Sequence, residues 1–213
     1  MSTTDDISEM LAAYYQTEHQ LIELNRIISV DNKPETFSPR LYNILGDSCN
    51  QVENMLRLIC DQLGLDYPKN NAHFPDFYEK LNQTGIMRIQ TIDLLIGKKA
   101  YLPFIIEEGK KTPDWWRAYN DTKHNLPEGY KQGNLHNTLC AVSAAYSLHC
   151  LSAYVGEYGK DVLNKEWWHT LESTGVKTRQ EFPEVSDNTR SDFIPKSKIF
   201  FNVAYYRHLG QGL

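Results

Sequence analysis

The chain has 213 residues, of which 41% are apolar and 12% aromatic, and a formal net charge of −5. That is enough apolar material for one sizeable core, while the acidic balance excludes a global basic field of the kind that attracts nucleic acid over a whole surface. Mean hydropathy is negative and no long apolar run stands out, which argues against a transmembrane helix.

The N-terminal run MSTTDDISEM is acidic and lacks an apolar signal core, so a cytoplasmic protein without membrane attachment is expected. Residues 5 to 30 read as a helix. Thr4 can cap it, Asp5 and Asp6 suit its positive end, and Ile7, Met10, Leu11, Tyr14, Leu21, Leu24 and Ile28 mark an apolar stripe. Asp31 to Pro39 is a turn-rich break. Ser38 then caps a second helix with Pro39 at its first position; Leu41, Leu45, Val52, Met55, Ile59 and Leu63 form its stripe, and Gly64 ends it. Glu53 and Arg57 stand on it at the i, i+4 spacing of a salt bridge.

Phe74 to Leu81 is expected as a short helix and Ile86 to Ile96 as a further one. The stretch AYLPFIIEEG, from Ala100, is extended in character. Thr112 caps the next helix, with Pro113 and Asp114 in its first turn, and Pro127 stops it. A long helix follows over Leu135 to Tyr158, rich in Ala and Ser, whose small side chains permit close approach of a neighbouring helix within the chain or across a dimer. Residues 172 to 197 are polar and loop-like, and Lys198 to Tyr206 has strand character. The expected fold is all-α, an up-and-down helical bundle over residues 1–159. A short irregular C-terminal extension, 160–213, packs on it and has room for one strand.

Cys49, Cys60, Cys140 and Cys150 sit inside apolar helical patterns and read as reduced core thiols. His19, His73, His136, His149, His169 and His208 fall in no ligand-like spacing with carboxylates or cysteines, so neither a metal nor a cofactor is expected.

The run WWRAYNDTKHN, residues 115 to 125, concentrates the chain's polar chemistry. On a helix Arg117, Asn120 and His124 follow the i, i+3, i+7 spacing and lie along one face. Arg117 and His124 are separated by roughly 10 Å of axial rise, a span an extended arginine largely covers. A guanidinium, an amide and an imidazole on one stripe suit a site better than a core. The bland reading makes Lys123 and His124 cations at the negative end of a helix, and Arg117 with Asp121 a surface ion pair.

A helix such as SPRLYNILGDSCNQVENMLRLIC, then LPF, then PDWWRAYNDTKHN leading into a long small-residue helix, resembles the HEPN superfamily, in particular members with a WW…YNxxKH signature. The resemblance covers residues 38 to 158. It implies a helical bundle that forms two-fold dimers, and a metal-independent endoribonuclease of the defence, toxin–antitoxin or abortive-infection type. Arg117 and His124, with six residues between them, match the longest form of the superfamily's arginine-to-histidine motif. Ala118 follows the arginine where the commonest form has a polar residue, which leaves Lys123 as a second candidate cation.

RNA carries a 2′-hydroxyl that attacks the adjacent phosphorus once a base removes its proton. Histidine suits that task, because its ordinary pKa is near 6.5. In the resemblance-based reading His124 moves protons, Arg117 stabilises the phosphorane, and Asn120 orients the imidazole or donates to a phosphate oxygen. Lys123, Tyr119 and Trp116 are assigned to substrate, where the rings could stack bases; rings at helical spacing beside a bundle are more often core, and Trp115 at least is assigned there. One imidazole does not easily serve as both base and acid, so a homodimer that brings two copies of His124 together is expected. The competing reading is a non-catalytic module of the same fold that binds RNA or a protein partner, such as an antitoxin.

Overall fold

The computed structural model describes residues 4–29, 32–89, 92–94, 100–124, 129–160 and 200–202. The described part of the chain is mostly helical and forms an all-α bundle. Among the described residues there are five α-helices: α1 (Thr4–Asn25), α2 (Pro39–Leu63), α3 (Phe74–Gln83), α4 (Asp114–His124) and α5 (Leu135–Tyr158). Three short strands, β1 (Ile92–Leu94), β2 (Ala100–Tyr101) and β3 (Phe200–Asn202), form an antiparallel sheet in the order β2-β1-β3. Ile92 lies opposite both Tyr101 and Asn202.

The centre of the bundle is α2 packed on α5. Helix α2 starts where the sequence places it. The Ser38 hydroxyl accepts the Leu41 N–H at 3.1 Å, and Pro39 occupies the first turn, where its missing N–H costs nothing. Gly64 ends the helix in the left-handed region at φ 64°, and its N–H satisfies the last carbonyls. Every apolar residue of the expected stripe is buried. Helix α5 contributes Ala141, Ala144 and Ala145, all buried, which lets the α2 backbone come close. Two of its buried serine hydroxyls bond carbonyls one turn back, Ser143 to Cys140 and Ser147 to Ala144, and a third, Ser152, donates to Gln62 of α2. Thr138 also reaches across to the Leu41 carbonyl at 3.1 Å. The small-residue face is therefore consumed within the chain.

Helix α5 also corrects the hydropathy argument. Leu135–Gly156 is long and apolar enough to span a membrane, but 89% of that stretch is buried inside the bundle. Its N-terminal donors are met by the segment that precedes α2. The Leu135 and His136 N–H groups donate to the carbonyls of Thr36 (2.7 Å) and Pro34 (3.0 Å), and the Asn134 side chain accepts from Asn137 N–H. Gly133 makes this junction possible, because a Cβ there would fall 2.7 Å from the Tyr42 Cα and 2.6 Å from its Cβ. Gly133→Ala should cost about 2–3 kcal/mol, as overpacking against backbone does, read as a lowered urea midpoint. An unchanged midpoint would mean that the α2–α5 junction yields freely.

Several expectations need correction. Helix α1 stops at Asn25 rather than 30, where the bonds tighten to three-residue spacing: Arg26 N–H donates to the Glu23 carbonyl and Ile27 N–H to the Leu24 carbonyl. Ile86 to Ile96 departs from the expected α-helix in its described parts, 86–89 and 92–94. A 3-10 turn over Ile86–Ile89 is followed by β1, which pairs with β2 on one side and β3 on the other. Helix α4 begins with the Pro113 carbonyl accepting from Trp116 and Arg117 N–H, one residue beyond the expected Thr112 cap. Glu53 and Arg57 turn to α3 instead of to each other: Glu53 accepts the Phe74 N–H at 3.2 Å, and the Arg57 guanidinium lies 5.3 Å over the Phe77 ring. Of the expected C-terminal strand, Phe200–Asn202 pairs with β1; most of residues 160–213, together with the Pro127 stop, lies outside the described residues.

All four cysteines are free and buried. Burial pushes the thiols of Cys60, Cys140 and Cys150 up to about 12, so they stay protonated and act as small apolar groups.

Candidate functional site

Helix α4 is anchored by aromatics. Trp115, Trp116 and Tyr119 are all buried. The Trp115 indole N–H donates to the Pro103 carbonyl at 2.6 Å. Trp116 stacks on Phe74 of α3, with centroids 4.4 Å apart and planes 24° apart. Tyr119 lies over Gly46 of α2, and its hydroxyl donates to Asn50 Oδ1 at 2.8 Å. This spacing of large rings at positions 115, 116 and 119 points one side of the helix inward against both α2 and α3. The assignment of Trp116 and Tyr119 to substrate is thereby corrected: burial and stacking spend both ring systems on the core.

The opposite side is polar. Arg117 and Asn120 are half-buried and Lys123 is exposed. Arg117 donates to the Asp114 carboxylate one turn back, and Lys110 Nζ approaches the same carboxylate at 3.6 Å while also pairing with Glu107. The partner of Arg117 is thus Asp114 rather than Asp121. The pair is solvent-exposed, and such pairs contribute about 0–1 kcal/mol. Lys123 Nζ sits 4.1 Å from the Tyr119 ring centroid, a cation–π contact that holds the ammonium at the surface above a fixed ring. Arg117 and Asn120 therefore share the outer side of the helix, while Lys123, seven residues after Trp116 and four after Tyr119, reaches the surface from the ring-bearing side. His124 closes that helix, and its side chain lies outside the described residues.

A cavity of about 490 Å³ opens at the other end of α4, lined by residues that include Pro34, Tyr101, Asp114, Trp115, Leu139 and Cys140. The same cavity contains a pair that the sequence analysis passed over. His136 Nε2 and Cys140 Sγ lie 3.8 Å apart, one helical turn along α5. Their i, i+4 spacing was the available signal. Among the described residues no group of three or more His, Cys, Asp or Glu side chains is arranged to hold a metal ion. No family model, curated protein or solved structure matches the chain.

Proposed function

We propose that this bundle is a metal-independent endoribonuclease acting as a homodimer, with the outer side of α4 as its site. The supporting observation is the division of one short helix. Trp115, Trp116, Tyr119 and Thr122 are buried, whereas Arg117, Asn120 and Lys123 remain at the surface beside the end that His124 closes. Buried rings give the polar groups a rigid base, and preorganisation of that kind is what phosphate recognition and proton transfer require. In this reading His124 removes the 2′-hydroxyl proton. The resulting oxygen attacks phosphorus, and the P–O5′ bond breaks to leave a 2′,3′-cyclic phosphate and a 5′-hydroxyl. The partner copy's imidazole protonates the departing oxygen. Arg117, after exchanging Asp114 for phosphate, stabilises the phosphorane, with Lys123 as a second cation and Asn120 as a donor.

The Arg117–Asp114 ion pair favours a second reading, a non-catalytic module that binds RNA or a protein partner, because a carboxylate already occupies the guanidinium. Total RNA incubated with the purified protein in the presence of a chelator, beside a His124→Ala control, separates the two. The enzyme reading expects new cyclic-phosphate ends and at least about a 100-fold loss in the control. Equal cleavage by both proteins would sink it, and RNA retention without cleavage would support the module.

A further inference from the structure

We propose that the cavity between the 101–107 segment and the starts of α4 and α5 binds a small organic cation with an apolar body. Its volume of about 490 Å³ falls in the range of small-molecule pockets, roughly 300–1,000 Å³. The walls are largely hydrocarbon, from Tyr101, Ile105, Trp115 and Leu139; the acidic lining side chains are Glu107 and Asp114, His136 and Cys140 also line it, and among the described residues no lysine or arginine does. Leu102 and Ile105, which also line it, are 51% and 60% exposed and form an uncovered apolar lip. The Trp115 wall is fixed beforehand by its bond to the Pro103 carbonyl, so a ligand does not have to order it.

The charge of the lining decides the class of ligand. Glu107 and Asp114 are about half exposed, and they engage Lys110 and Arg117 from outside the cavity. Exposed ion pairs of this kind contribute about 0–1 kcal/mol, so an incoming ammonium exchanges one cation for another at small cost while its body leaves water. A carboxylate-bearing ligand of the same shape meets two like charges instead. Because Asp114 also holds Arg117, a bound cation loosens that arginine. The site stands whether or not the chain cleaves RNA.

Phenylbutylamine, cationic at neutral pH, and phenylbutyrate carry the same apolar body with opposite heads. Each is titrated into the full chain while the Trp115 indole N–H resonance is followed, assigned with Trp115→Phe. The amine should move that resonance and bind about tenfold more tightly than the acid. Glu107→Gln combined with Asp114→Asn should erase the difference. An amine that leaves Trp115 unmoved at millimolar concentration, equal affinities for the two heads, or a double variant that still prefers the amine would each overturn the proposal. Both substitutions are at exposed carboxylates, and the wild-type comparison decides the question by itself if the variant is poorly folded.

Discussion

Replacing Trp116 by alanine should remove about 3–5 kcal/mol of stability, the range for deleting a buried aromatic. The ring is buried, stacks on Phe74 at 4.4 Å and meets Trp115 and Tyr119 edge-on at 5.9 and 5.6 Å. Its removal opens a void where α4 meets α3, and Phe74, itself fully buried, loses one of its two stacking partners and keeps Tyr78. Trp116→Phe should retain much of the burial and lose less. Urea unfolding followed by circular dichroism reads both values from the midpoints. A loss below about 1 kcal/mol for the alanine variant, together with weakened RNA binding, would return the ring to the substrate side.

Acid should destabilise the chain through His149. This histidine is buried on α5, its ring centroid is 5.4 Å from that of Tyr14 on α1, and its Nε2 has no hydrogen-bond partner among the described residues. Burial pushes it down to about 3, so it stays neutral in the folded chain. In the unfolded chain it titrates near its ordinary value, about 6.5. Between those values the unfolded state binds the proton and the folded state does not. The contribution is therefore fully present above about pH 6.5 and declines as pH falls toward 3. The slope is about 1.4 kcal/mol per pH unit, or about 2 kcal/mol by pH 5. His149→Leu should flatten that part of the profile. Parallel pH profiles for the two proteins from pH 7 to about 5 would show that the imidazole is already reachable by protons in the fold.

The helices most legible in the sequence are those whose ends carry local chemistry. Ser38, Pro39 and Gly64 mark α2, and the capping and stop are visible without any knowledge of the rest of the chain. Helix α5 was legible for its length and its small residues. What those residues pack against was not, since α2 lies about a hundred residues away in sequence, as the Thr138–Leu41 bond illustrates. Ile86 to Ile96 misled because a short apolar run looks alike as helix or strand, and its partners β2 and β3 come from either side of α4 and α5.

The candidate site was legible in part. The i, i+3, i+7 spacing placed Arg117 and Asn120 on one side of α4, which is the polar side. The helical spacing already allowed Trp116 and Tyr119 to be core, but their partners, Phe74, Gly46 and Asn50, come from other helices and leave no mark in the local pattern. Nor could it choose Asp114 over Asp121 for Arg117, since both spacings are permitted on a helix. The cavity at the start of α4 is assembled from four separate stretches of chain and leaves no local mark.

RNA cleavage per subunit, followed as the protein is diluted and alongside sedimentation velocity for the dimer, tests whether two copies of α4 build one site. A composite site requires specific activity to fall in step with the dimer fraction while Arg117, Asn120 and His124 remain intact. Specific activity that persists in a monomeric sample, or no cleavage at any concentration, would contradict it.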